Sequence, residues 1–154
     1  MKNVSFIVSC MFMTIVNAGE VNVPYMLLPI VEIHDGDTIK SNLKALPEPL
    51  NHIEIRIRGI DTPEMPAPSY KTTGKLDRAK CVKEAELALK ARDFVITLAN
   101  GTTKMKVTNF DYDKFGGRID ADVTINSKDV KTELLKAGLA VPYFGVGQKS
   151  DWCK

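Results

Sequence analysis

Two short acidic runs and three arginines are the residues of this chain best suited to chemistry. Asp35-Gly36-Asp37-Thr38 sets two carboxylates around a sharp turn, and Asp61-Thr62-Pro63-Glu64 sets two more just after a later strand. Oxygen-only clusters of this kind suit a hard cation such as Ca²⁺ or Mg²⁺. Read alone, the first run is an ordinary hairpin turn and the second the start of a loop. The arginines change that weighing. Arg56 and Arg58 lie on the polar face of the strand that delivers Asp61, and Arg118 follows the Gly116-Gly117 turn. The planar guanidinium fork matches phosphate oxygens. Metal-holding carboxylates, paired arginines and one carboxylate left to serve an attacking water together describe a site for a phosphodiester. The alternative for Arg56 and Arg58 is an exposed strand face with surface ion pairs of little energy.

The elements that must position these residues follow from periodicity. Residues 26–34 and 38–43 read as strands joined by the Asp35-Gly36 turn. Ile53, Ile55 and Ile57 alternate with Glu54, Arg56 and Arg58, which predicts a strand over 53–58 with the arginines opposite its apolar face. Pro63, Pro66 and Pro68 then break the pattern, and a loop follows to about Lys80. Its Lys71, Lys75, Arg78 and Lys80 either steer a polyanion or simply solvate the loop. Helical spacing over 79–99 turns Val82, Ala85, Leu89 and Val95 inward, with Asn100-Gly101 as the stop. Strands over 104–112 and 118–125 flank a turn, and Ser127 caps a second helix that ends at Gly138. Five short strands with a helix after the third predict an α+β domain, a five-stranded OB-fold Greek-key β-barrel with two main helices packed against it. Another α+β sandwich fits the same periods.

Composition narrows the class. The chain has 154 residues, 44% apolar and 26% charged, which excludes disorder and a disulfide-dense mini-scaffold and leaves room for one domain. A net charge of +2 does not by itself mark a nucleic-acid binder. Residues 1–18 read as a secretory signal peptide, with Lys2, an apolar run from Val4 to Val16, and a small residue, Ala18, before cleavage at Gly19. The run is too short to anchor in a bilayer, and no later segment could span one. The mature domain is then 19–154, exported to a periplasm or secreted. Cys10 leaves with the signal, and Cys81 and Cys153 remain as one possible intramolecular disulfide in an oxidising compartment, the alternative being two free thiols. Neither has a partner at metal-ligand spacing.

Four separate motifs carry a resemblance to a known family. They are Asp35-Gly36-Asp37-Thr38, Arg56-Ile57-Arg58-Gly59-Ile60-Asp61-Thr62-Pro63-Glu64, Asp113-Lys114-Phe115-Gly116-Gly117-Arg118 and Ala137-Gly138-Leu139-Ala140. In that order and spacing, over about residues 31–143, the chain resembles the staphylococcal nuclease, or thermonuclease, family of exported nucleases. The resemblance implies an OB-fold enzyme that hydrolyses DNA and RNA with Ca²⁺ and leaves 3′-phosphate ends. It implies that Asp37 and Asp61 bind calcium through their carboxylates and Thr62 through its main-chain carbonyl. Glu64 matches the general base, and Arg56 and Arg118 match the arginines that grip the scissile phosphate. Lys114, Phe115 and Tyr143 are the expected substrate contacts, and the protein is expected to act as a monomer. The chain departs from the staphylococcal pattern in an extra glycine before Arg118, in Phe115 where a tyrosine is expected, and in a tail over 144–154 with no counterpart of the C-terminal helix. A Cys81–Cys153 bridge would tie that tail to the first long helix.

Two other functions fit parts of the pattern. A non-catalytic OB-fold nucleic-acid-binding module would be free to lose Glu64, Arg56 or Arg118, and all three are present. An exported structural domain binding Ca²⁺ for stability leaves the paired arginines unexplained. His34 and His52 are assigned no chemical role.

Overall fold

The computed structural model describes residues 24–114 and 116–154; the expected signal segment, Cys10 and Phe115 lie outside the described residues. The first apolar run divides into β1 (Tyr25–Pro29) and β2 (Glu32–Ile33). Pro29 has no amide to continue a ladder, and the chain changes partners there. The Asp35 carboxylate accepts the Asp37 amide at 3.1 Å, which shapes the turn into β3 (Thr38–Asn42). β4 (His52–Ile57) follows the expected alternation, with Ile55 and Ile57 fully buried. Such side chains contribute about 1.5–3 kcal/mol each. Gly59, at φ +82°, then bends the chain into β5 (Ile60–Asp61).

The loop beyond holds one helical turn, α1 (Tyr70–Thr73), before the long helix α2 (Val82–Leu98). Ala85, Ala88, Ala91, Val95 and Leu98 form its buried face, while Val82, expected inside, is exposed in the first turn. Small alanines let α2 approach closely: a Cβ on Gly36 would meet the Ala91 Cβ at 2.8 Å and Thr62 Cγ2 at 2.9 Å. β6 (Lys104–Tyr112), β7 (Arg118–Ile125) and β8 (Lys128–Asp129) follow. Asp129, not Ser127, caps α3 (Val130–Lys136), its carboxylate accepting the Thr132 amide at 2.8 Å. Ser127 instead sits at φ +62° in the β7–β8 turn, where it cannot serve as a cap. Gly138 closes α3 in a left-handed conformation, with its amide on the Leu135 carbonyl and that of Leu139 on Leu134. β9 (Val141–Pro142) pairs with β5.

The described residues therefore hold nine strands, not five, and three helices rather than two. The extra strands are two-residue pairings, too short to leave a period in the sequence. The main sheet runs β1-β6-β7-β4-β3-β2, with β8 on β7, and is antiparallel except for the parallel pair β4–β7. β1 and β2 are consecutive in the chain yet lie at opposite ends of this order, so the sheet curls until its ends approach. Ser41 Oγ donates to the Pro29 carbonyl at 2.7 Å across that junction. Ile39, Ile55, Val107 and Val123 fill the concave side against Val95 and Leu134.

A polar clamp fastens α3 to the sheet. Asp122 on β7 accepts Lys131 Nζ at 2.9 Å and Asn109 Nδ2 at 2.8 Å, the latter beside the irregularity in β6. Burial works against the Asp122 charge, but those hydrogen bonds and the Lys131 charge outweigh it and hold the carboxyl below its ordinary 3.8. A lowered carboxyl adds stability that is complete above its unfolded value and is lost as pH falls through the folded one. Asp122→Asn is thus expected to cost about 1 kcal/mol at pH 7, with the difference from wild type closing below pH 3.8. Urea unfolding at both pH values measures it; a gap that persists in acid contradicts the clamp.

Candidate active site

The Asp35–Thr38 turn and the start of the Asp61–Glu64 loop meet against α2. Asp37 is buried, and its Oδ2 accepts both the amide and the hydroxyl of Thr62 at 2.9 Å. Its Oδ1 accepts Thr38 Oγ1 at 3.1 Å and an Arg56 Nη1 hydrogen bond. Arg56 also donates to the Ile60 carbonyl at 3.3 Å and lies 3.5 Å from Asp61 Oδ1. One guanidinium thereby links both acidic runs.

A cleft of about 800 Å³ opens above this layer. Arg56, Arg58 and Arg118 line it from neighbouring strands, together with Glu64, Lys114 and Tyr143. The parallel register fixes the spacing, since Arg118 stands opposite Glu54 and Arg56 opposite Asp120. Arg58 also donates to the Asp120 carbonyl at 3.2 Å, and Arg118 Nε to Asp113. Burial pushes the Asp35 carboxyl, also on the cleft wall, above its ordinary value against the pull of His34 and Arg56.

Glu64 is surrounded by cations. Lys149 Nζ lies 2.8 Å from its Oε1 and 2.9 Å from Asp61 Oδ1, and Arg78 Nε lies 3.7 Å from Oε2. Burial opposes the charge on Glu64, but Lys149, Arg78 and Arg56 overcome it and hold the carboxyl below its ordinary value. Glu64 is therefore ionised at neutral pH.

Two further side chains support this arrangement. Glu84, buried in the first turn of α2, accepts the Lys80 amide at 2.6 Å and the Glu64 amide at 3.4 Å. The tail that carries Lys149 is fastened by a Cys81–Cys153 disulfide, with Cα atoms 6.0 Å apart across 72 positions. That bridge matches the expected pairing. Glu84→Gln turns an amide N–H₂ towards a backbone N–H and is expected to cost about 1–3 kcal/mol in urea unfolding. A change within error would remove Glu84 from this supporting role.

A family model described as staphylococcal nuclease homologue matches residues 54–152 of this chain. The chain belongs to that family. No curated protein matches it. The matched region of this staphylococcal nuclease homologue contains Arg56, Asp61, Thr62, Glu64, Arg118, Tyr143 and Lys149, while the Asp35–Thr38 turn lies just ahead of it.

Of the residues singled out from the sequence, Arg56, Glu64, Arg118, Lys114 and Tyr143 share the cleft. Asp37, Asp61 and Thr62 are buried in the layer reached through Arg56. Of the loop cations only Arg78 lines the cleft, and Lys80 lines a smaller cavity next to it. Periodicity did not reveal Glu84 or Lys149. A cysteine cap disguises the Glu84 capping pattern, and the tail that carries Lys149 has no period at all.

In this homologue no three Asp, Glu, His or Cys side chains among the described residues gather closely enough to ring a metal. Asp61 Oδ1 is nonetheless buried, receives no hydrogen bond in good geometry, and has the Lys149 ammonium close by. A buried carboxylate oxygen that draws in the Lys149 ammonium at 2.9 Å and an Arg56 nitrogen at 3.5 Å favours positive charge of the kind a hard cation would supply.

Proposed function

We propose that this staphylococcal nuclease homologue is an exported Ca²⁺-dependent phosphodiesterase that cuts DNA and RNA internally and leaves 3′-phosphate ends, on an OB-type barrel. The observation that carries the reading is the convergence of Arg56, Arg118 and Glu64 on one cleft. Asp37, Asp61 and the Thr62 main-chain carbonyl hold the calcium ion, with Arg56 as their link to the substrate. The bound ion supplies positive charge where the phosphate gains negative charge.

Glu64 takes the proton of the water that attacks phosphorus. Arg56 and Arg118 hydrogen-bond the non-bridging oxygens as their charge grows. The bond from phosphorus to the 5′-oxygen breaks, that oxygen leaves with a proton from solvent, and the phosphate stays on the 3′ side. Lys114, Phe115 and Tyr143 contact the neighbouring nucleotides. The signal segment over 1–18 supports export, and the working unit is a monomer of residues 19–154.

Incubation of single-stranded DNA and RNA with the pure protein tests this. Cleavage is expected in millimolar Ca²⁺ and not in excess EGTA. Binding without cleavage at any calcium concentration assigns the chain as a nucleic-acid-binding module; cleavage undiminished by EGTA removes calcium from the reaction.

A further inference from the structure

The ammonium of Lys149 stands where two carboxylates of the active site converge. It contacts Asp61 Oδ1 at 2.9 Å and Glu64 Oε1 at 2.8 Å, and no other lysine among the ion pairs described reaches either residue. The tail delivers it from the far end of the chain: Lys149 is separated by 85 positions from Glu64 and by four from Cys153, whose disulfide fastens it to the start of α2. Asp61 Oδ1 is buried, so a cation at this point is desolvated on one side and held on the other by a covalently pinned strap.

We propose that Lys149 is a tethered competitor for the divalent cation: an ion held by Asp61 and the ammonium that pairs Asp61 with Glu64 exclude each other. The inference rests on the calcium reading given above. Charge alone argues for exclusion, since two cations within contact of the same buried oxygen repel each other strongly. Calcium sites with few charged ligands bind weakly, at about 10⁻⁴–10⁻³ M, and a cation held beside its carboxylates by a short tether raises that constant by the ratio of its bound to unbound populations. The protein therefore carries its own plug: at low calcium the strap closes the carboxylate pole, and at high calcium the strap gives way.

The experiment is calorimetric titration of the folded protein, wild type and single variants with the disulfide intact, with CaCl₂ alone, which needs no substrate or turnover. If Lys149 fills the position most of the time, Lys149→Met should bind calcium about ten- to a hundredfold more tightly than wild type. Lys149→Arg keeps a cation on the strap and should stay within a few-fold of wild type. Lys80→Met removes a charge from the same small cavity without removing an ion pair to Asp61 or Glu64, and should also shift affinity by no more than about threefold. The Cys81→Ser/Cys153→Ser variant keeps an oxygen cap on α2, releases the strap and should fall between wild type and Lys149→Met.

Equal, measurable affinities for wild type and Lys149→Met overturn the competition while leaving the calcium reading standing. A gain for Lys80→Met as large as that for Lys149→Met overturns it too, because the effect is then long-range charge rather than occupancy. Absence of calcium binding in every variant overturns the metal reading and this inference with it. A double-serine variant identical to wild type overturns the tether.

Discussion

Arg118→Lys is expected to lower the rate of single-stranded DNA cleavage by about 10³–10⁵-fold at saturating Ca²⁺, a loss comparable to removal of an arginine finger. Lysine keeps the charge and loses the fork, so two parallel donors to phosphate oxygens become one mobile ammonium. The loss should appear mainly in kcat, with KM changed little, because the interaction strengthens as charge builds on the phosphate. Arg118 begins β7 through main-chain hydrogen bonds that lysine keeps, and a lysine ammonium can still pair with Asp113, so near-native thermal unfolding is expected. A variant within tenfold of wild type would mean that Arg118 does not touch the reacting phosphate.

Glu64→Gln is expected to cost about 10²–10⁴-fold in rate, the usual loss on removing a general base. Shape and volume are kept while the proton acceptor is lost. Lys149, Arg78 and Arg56 hold the wild-type carboxyl ionised in spite of burial, the state the proposed role as base requires at neutral pH. Affinity for uncut DNA, measured with the calcium-loaded variant, should survive within a few-fold. Full turnover by Glu64→Gln would assign the proton transfer elsewhere, and equal losses in binding and turnover would make Glu64 a substrate-holding group.

What could be read from the sequence follows physical range. The isoleucine alternation of β4 was legible because one face is buried and period two leaves no other register; Ile55 and Ile57 are fully buried, and Arg56 reaches the cleft. The two acidic runs were legible because their side chains act within a few residues of one another. Other features depend on partners distant in sequence. The break at Pro29 reflects a change of strand partner, from β6 for β1 to β3 for β2. Asp129 displaced Ser127 as the cap because Asn126 and Ser127 are needed with positive φ in the preceding turn. Nothing in the local sequence sets Glu84 apart from a solvated acid on a helix surface, and only the fold brings the Glu64 and Lys80 amides to it. The expected Cys81–Cys153 bridge placed the tail at the first long helix, but nothing local aimed Lys149 at Asp61 and Glu64.

The parallel pairing of β4 with β7 bears on when the cleft can exist during synthesis. Its register joins residue 54 to residue 118, so the two arginine-bearing strands meet only after a long loop has closed, a slow step that local contacts cannot shortcut. Translation proceeds at about 5–20 residues per second, so for several seconds a nascent chain holds Arg56, Asp61 and Glu64 but no Arg118. The bridge that pins the strap waits longer still, for Cys153, about 35 positions beyond Arg118. Under the proposed activity, a protein able to cut RNA stays harmless beside the message and ribosome that are making it.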